Sequence, residues 1–107
     1  MKFVNLTPHT INIYNTEKEL VMSIPSSGVA RCAVEKRQIS NAEGVALFET
    51  AYGAVEGLPE MDTTYGTIII VSLLVRQAMA SRTDLYSPGE LLRDEAGQPI
   101  GCIGLSR

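Results

Sequence analysis

Histidine occurs once and cysteine twice in the 107-residue chain, too few soft ligands for a structural zinc site. Basic residues are also scarce: nine Lys and Arg stand against twelve Asp and Glu, a formal net charge of −3. A protein that coats a nucleic-acid backbone carries a basic excess, so bulk nucleic-acid binding is disfavoured. Long apolar runs are missing. The longest, Ile68 to Val75, is interrupted by Ser72 and closed by Arg76, far short of the ~20 residues of a membrane span. The stretch from Met1 to Pro8 is too short and broken for a signal-peptide core. No glycine-rich loop precedes a helix, which removes the Rossmann and P-loop fingerprints. No nucleophile-elbow pattern is present either. These absences describe a soluble, cytoplasmic chain with no membrane partner, no metal and no cofactor, and with no residues assigned a catalytic role. Repeats, low-complexity tracts and linkers are absent, so residues 1–107 read as a single domain.

What is present is a chain 45% hydrophobic, rich enough in Ile, Leu and Val to build one thin core. Proline and glycine divide it into short pieces. Lys2 to Leu6 and Thr10 to Asn15 read as strands, the second alternating with a period of two around Ile11 and Ile13. Leu20 to Ile24, Val29 to Lys36 and Val45 to Thr50 read as three more, with a turn at Asn41 to Gly44. Tyr52 to Gly66 reads as a long surface loop, and loops of that length in small domains often carry function. Thr67 to Val71 is the most β-branched run and is expected to be a strand buried on both faces. The period changes at Ser72, an expected N-cap for a short helix running to Ala80. Tyr86 to Gly89 reads as a turn. Leu91 to Arg93 and Ile100 to Leu105 flank Asp94-Glu95-Ala96-Gly97, a hairpin signature with a left-handed glycine. The fold class is therefore α+β: a predominantly antiparallel curled sheet, or small barrel-like β domain, with one main helix. Cys32 and Cys102 lie in apolar-alternating strands and are expected to be buried, reduced thiols.

Few residues look equipped for chemistry. His9 is a general base or ligand contact on one reading and a turn residue on the other. Ser72 heads either an ordinary helix or an anion site built on free N–H groups. Arg82 can fork onto phosphate or carboxylate with Asp84 holding it, and with Arg76 and Arg93 it makes the C-terminal half locally basic. The carboxylate pairs Glu60–Asp62 and Asp94–Glu95 read as solvated turn acids, or at most a weak hard-cation site.

Several of these segments together resemble a known family. Leu6-Thr7-Pro8-His9, Ile24-Pro25-Ser26-Ser27-Gly28, Gly66-Thr67 running into Ile70-Val71-Ser72, Arg82-Thr83-Asp84-Leu85, Arg93-Asp94-Glu95 with Gly97, and Ile100-Gly101-Cys102 occur in that order. The order is similar to that of a family of short proteins found in tailed phages, prophages and some bacterial genomes, over nearly the whole chain. The resemblance implies a setting, a small accessory protein in a bacterial cytoplasm, and no specific chemistry. It also implies that Thr7, His9, Ser72, Arg82, Asp84 and Arg93 are site candidates.

Three classes of function follow. The first is a binding module that sequesters a small anionic ligand, such as a nucleotide-derived signal of host immunity. The second is a module that binds a host or phage protein through its β edges or the long loop. The third is a small hydrolase or lyase using His9. The first uses the arginines and the helix start together, and it expects Arg82 and Arg93, with Ser72 and His9, to line one pocket. Short strands with edges to cover further suggest a homo-oligomer, most simply a two-fold dimer.

Overall fold

In the computed structural model, which describes residues 2–61 and 66–107, eight strands and one helix follow one another. The strands are β1 (Lys2–Asn5), β2 (Ile11–Tyr14), β3 (Leu20–Ile24), β4 (Arg31–Ala42), β5 (Val45–Glu56) and β6 (Thr67–Ile70). Helix α1 (Leu73–Ala78) comes next, then β7 (Leu85–Arg93) and β8 (Pro99–Ser106). Six strands form one sheet in the order β1-β6-β7-β8-β2-β3, and β4 pairs only with β5. The larger sheet curls until it is nearly closed and barrel-like. Its two edges meet where the buried Asn5 side chain of β1 donates to the Ile24 carbonyl of β3 at 2.9 Å. Within it the β1–β6, β6–β7 and β2–β8 junctions are parallel, while the longer β7–β8 ladder and β2–β3 are antiparallel.

Strand β6 is apolar from Ile68 to Ile70, and both its faces are covered. Ile69 (1% exposed) packs with Leu6, Ala30, Val71, Val75 and Leu85 under the helix. Its neighbour Ile70 (0%) points the other way, to Ile13 and Cys102 inside the curl. That opposition is the period-two geometry of a strand. Helix α1 starts where the period changes: Ser72 is extended and its Oγ accepts from Val75 N–H at 3.3 Å. The C-terminal hairpin has the turn its residues dictate. Asp94 Oδ1 accepts from the N–H groups of Ala96 and Gln98, both at 2.9 Å, and Gly97 takes a φ of 81°.

Two loops expected from composition are strand instead. Tyr52 to Glu56 belongs to β5, with Tyr52 opposite Val34. Tyr86 to Gly89 belongs to β7. In both cases the glycine marks close backbone approach rather than a turn. A Cβ on Gly53 would lie 2.9 Å from the Ala33 Cβ, and one on Gly89 would strike the Ile103 carbonyl. The expected loop thus shrinks to the segment after Glu56, and its residues 62–65, Asp62 of the Glu60–Asp62 pair included, lie outside the described residues.

β4 also runs six residues beyond the expected end at Lys36. With β5 it forms a hairpin arm of two 12-residue strands that projects from the body. Most of its residues are exposed. The arm explains a radius of gyration of 16.6 Å, against about 13 Å for a compact chain of ~100 residues.

The two thiols are free, as expected, but only Cys102 is buried; Cys32, at the arm's root, is half-buried. Burial pushes the Cys102 thiol above its usual pKa, partly opposed by a backbone hydrogen bond from Gly89. The thiolate is the reacting species, so both access and charge state protect Cys102. In native protein at pH 8 a thiol reagent should label Cys32 at least ~10-fold faster than Cys102, with the two rates converging in denaturant. Equal native rates, followed by peptide mass spectrometry, would contradict this burial.

Candidate functional site

The N-terminal turn is built around Asn5, which is fully buried. Its Oδ1 accepts from Thr7 N–H (2.9 Å) and Thr7 Oγ1 (2.6 Å), and its Nδ2 donates to the carbonyls of His9 (2.8 Å) and Ile24 (2.9 Å). An amide with all four hydrogen-bonding positions filled acts as a structural pin. The buried Thr7 is a partner in that pin, and Ser26 Oγ donates to the Thr7 carbonyl at 2.6 Å. His9 contributes its carbonyl to the pin and leaves its ring exposed, with no hydrogen bond to a described residue.

Arg82 and Asp84 form a two-pronged ion pair: Nε to Oδ1 at 3.0 Å and Nη2 to Oδ2 at 2.6 Å. Their side chains are only 14% and 6% exposed. A third bond, Arg82 Nη1 to the Pro59 carbonyl at 2.7 Å, fastens the long connection to the body. Arg93 lies at the other end of β7, exposed, and donates to the Gly97 carbonyl of its own hairpin turn at 2.8 Å.

The expected site residues are distributed over separate clefts. Ser72 lines a cleft of about 580 Å³ between the arm's root and α1, walled by Val29, Ala30, Cys32 and Leu74. At six residues α1 is a short dipole, and Ser72 already takes the Val75 N–H. His9 lines a second cleft of about 480 Å³ with Ile11, Asn12, Leu91 and Ile100. Arg82 lines a third, of about 360 Å³. Arg93 borders none of these three.

The third cleft gathers charge that the sequence scatters. Arg76, from the last turn of α1, and Arg107 face Arg82 across it, with Gln77, Ala80 and Thr83 completing the wall. Each guanidinium is anchored. Arg76 Nε donates to the buried Ser87 Oγ at 3.0 Å. Arg107 Nη1 donates to the Thr83 carbonyl at 3.0 Å, and its plane lies over the Tyr86 ring, 5.9 Å from the centroid. A guanidinium carries five N–H groups. Both terminal nitrogens of Arg76, and Nε and Nη2 of Arg107, have no hydrogen bond to a described residue. Of the three guanidinium groups only Arg82 is paired with a carboxylate, Asp84, while Arg76 and Arg107 keep N–H groups in reserve. Arg76 was visible in the sequence as part of a basic half. Arg107, a lone terminal arginine, carried no local signal.

Among the described residues no group of three or more His, Cys, Asp or Glu side chains is arranged to hold a metal ion. Nor, among the described residues, is any helix long and apolar enough to cross a membrane. No family model, curated protein or solved structure matches the chain.

Proposed function

We propose that the protein is a capture module for a small anionic ligand, held by its phosphate or carboxylate groups in the Arg76–Arg82–Arg107 cleft. The observation that carries this reading is the preorganisation of the three guanidinium groups. Each is fixed by a protein acceptor, and two of them have free N–H forks. Arginine forks of this kind recognise phosphate and carboxylate in two-pronged fashion. A side chain already ordered loses less rotamer entropy when a ligand arrives. A net acidic chain that concentrates its arginines at one cleft suits a discrete ligand better than a nucleic-acid backbone. With the resemblance to small phage-borne accessory proteins, the ligand of choice is a nucleotide-derived signal sequestered in a bacterial cytoplasm. The reading requires no catalytic group, no metal and no cofactor, and it treats the chain as a homo-oligomer.

Calorimetry with ADP and with inorganic pyrophosphate tests it. Arg76→Ala and Arg107→Ala should each weaken binding ~10-fold or more, from the ~1.5–3 kcal/mol of a charge-assisted hydrogen bond. Arg93→Ala should leave it unchanged. Absence of binding to both probes, or equal binding by all three variants, would overturn the assignment.

A further inference from the structure

We propose that the arm is a dimerisation device: the free edge of β5 pairs antiparallel with β5 of a second copy of this chain, about a two-fold axis at Thr50. This goes beyond the ligand reading and stands without it.

A two-stranded ribbon has two unpaired edges and gains little stability alone in water. On this arm Phe48 is 56% exposed and Tyr52 45%, with Val45 and Leu47 nearby. The root of the arm is held to the body, where Cys32 and Val55 pack against the core, and farther out the Tyr52 hydroxyl donates to Gln77 Oε1 at 3.5 Å. Among the described residues β5 has no strand partner except β4. The two edges are unequal. β4 carries Arg31, Glu35, Lys36 and Arg37, the charged side chains that proteins place on an edge to repel strand addition. β5 carries two, Glu56 at its root opposite Arg31 and Glu49 alone along the rest of its length. The undefended edge is β5.

Symmetry then selects the register. An antiparallel pair of identical strands has its axis perpendicular to the sheet, so a residue on the axis faces its own copy. On β4, an axis at Glu35, Lys36 or Arg37 sets like charges against each other. On β5, an axis at Glu49 does the same. An axis at Phe48 leaves Tyr52 opposite the Glu43–Gly44 turn. An axis at Ala51 or Tyr52 pushes the pairing into the irregularity around Gly53 and Ala54, where the β4–β5 register shifts. An axis at Thr50 avoids all of these. It sets Thr50 against Thr50, Glu49 against Ala51, and Phe48 against Tyr52 twice over. Aromatic and Thr–Thr cross-strand pairs are favourable, and no like charges meet. The segment 48–52 has no irregularity within it. The product is a four-stranded sheet, β4-β5-β5-β4, whose outer edges are the charged ones.

Light scattering at micromolar concentration should report twice the 11.6 kDa chain mass, or an even multiple of it. Thr50→Lys, which sets two ammonium groups on the axis, should halve that mass with an unchanged circular dichroism spectrum. Arg37→Glu, on the other edge, should leave the mass as it was. Should Thr50→Lys fail to fold, Thr50→Cys decides. Mild oxidation should link it into a covalent dimer beyond any background from Cys32 and Cys102 in the wild type. A wild-type mass of 11.6 kDa, which would leave the arm to a different protein, overturns the proposal. So does a folded Thr50→Lys protein of undiminished mass, or a Thr50→Cys protein that links no better than wild type.

Discussion

Asn5→Ala is expected to cost ~3 kcal/mol of stability, the largest single effect available outside the apolar core. The side chain is fully buried and makes four hydrogen bonds. Removing it leaves the Thr7 N–H and the Ile24 carbonyl without that partner in a site closed to solvent. Each buried polar group left unsatisfied costs about 1–3 kcal/mol. The bond to Ile24 also ties β1 to β3, so its loss loosens the seam of the curled sheet. At ~4–8 °C per kcal/mol for a domain near this size, the melting temperature should fall by roughly 15 °C. Urea unfolding of the two proteins measures it. A difference below about 1 kcal/mol would show that water replaces the amide without loss.

Asp84→Ala should destabilise by a similar ~3 kcal/mol, by a different route. Its carboxylate accepts both prongs of Arg82. Without it the guanidinium stays largely enclosed, with the Pro59 carbonyl as its remaining acceptor. Breaking an enclosed pair from one side costs ~3–5 kcal/mol, because a charge is left uncompensated. The lower end applies here, since the Arg82 side chain retains 14% exposure. Removing both partners should be milder than the sum of the single losses, because no charge is then stranded. A double mutant Arg82→Ala/Asp84→Ala as unstable as that sum would contradict the pairing. Anion binding by Asp84→Ala should weaken as well, because Arg82 loses the contact that orients it toward Arg76 and Arg107.

Short-range signals carried much of the fold. The change of period at Ser72, the β-branched run Thr67 to Val71 and the Asp94–Gly97 turn each act within a few residues, and each is where the sequence places it. The alternation in the sequence gives a shorter arm because the pattern is interrupted. Register shifts near Ala33 and Ile39 change which side chains share a face, so the pattern breaks although the strand continues. Pro88 and Gly89 read as a turn because their cause, a crossing by Ile103 fourteen residues later, is not local. The site was legible in kind but not in membership. Arg82 with Asp84 was readable two residues apart, whereas Arg107 reaches Thr83 across 24 residues. Thr7 stands out through the family resemblance and His9 as the single imidazole, whereas the structure uses the Thr7 hydroxyl and only the His9 backbone carbonyl, both as partners of Asn5, which carries no sequence signal of its own.

The arginine cleft is the central claim, and native mass spectrometry tests it most directly. The protein would be purified under gentle conditions from bacteria with active nucleotide signalling, beside Arg76→Ala and Arg107→Ala. The account predicts a bound small molecule of discrete mass on the wild type that is lost from both variants, with all three chains folded. A wild-type protein that carries only its polypeptide mass, or an adduct that survives both substitutions, would contradict it.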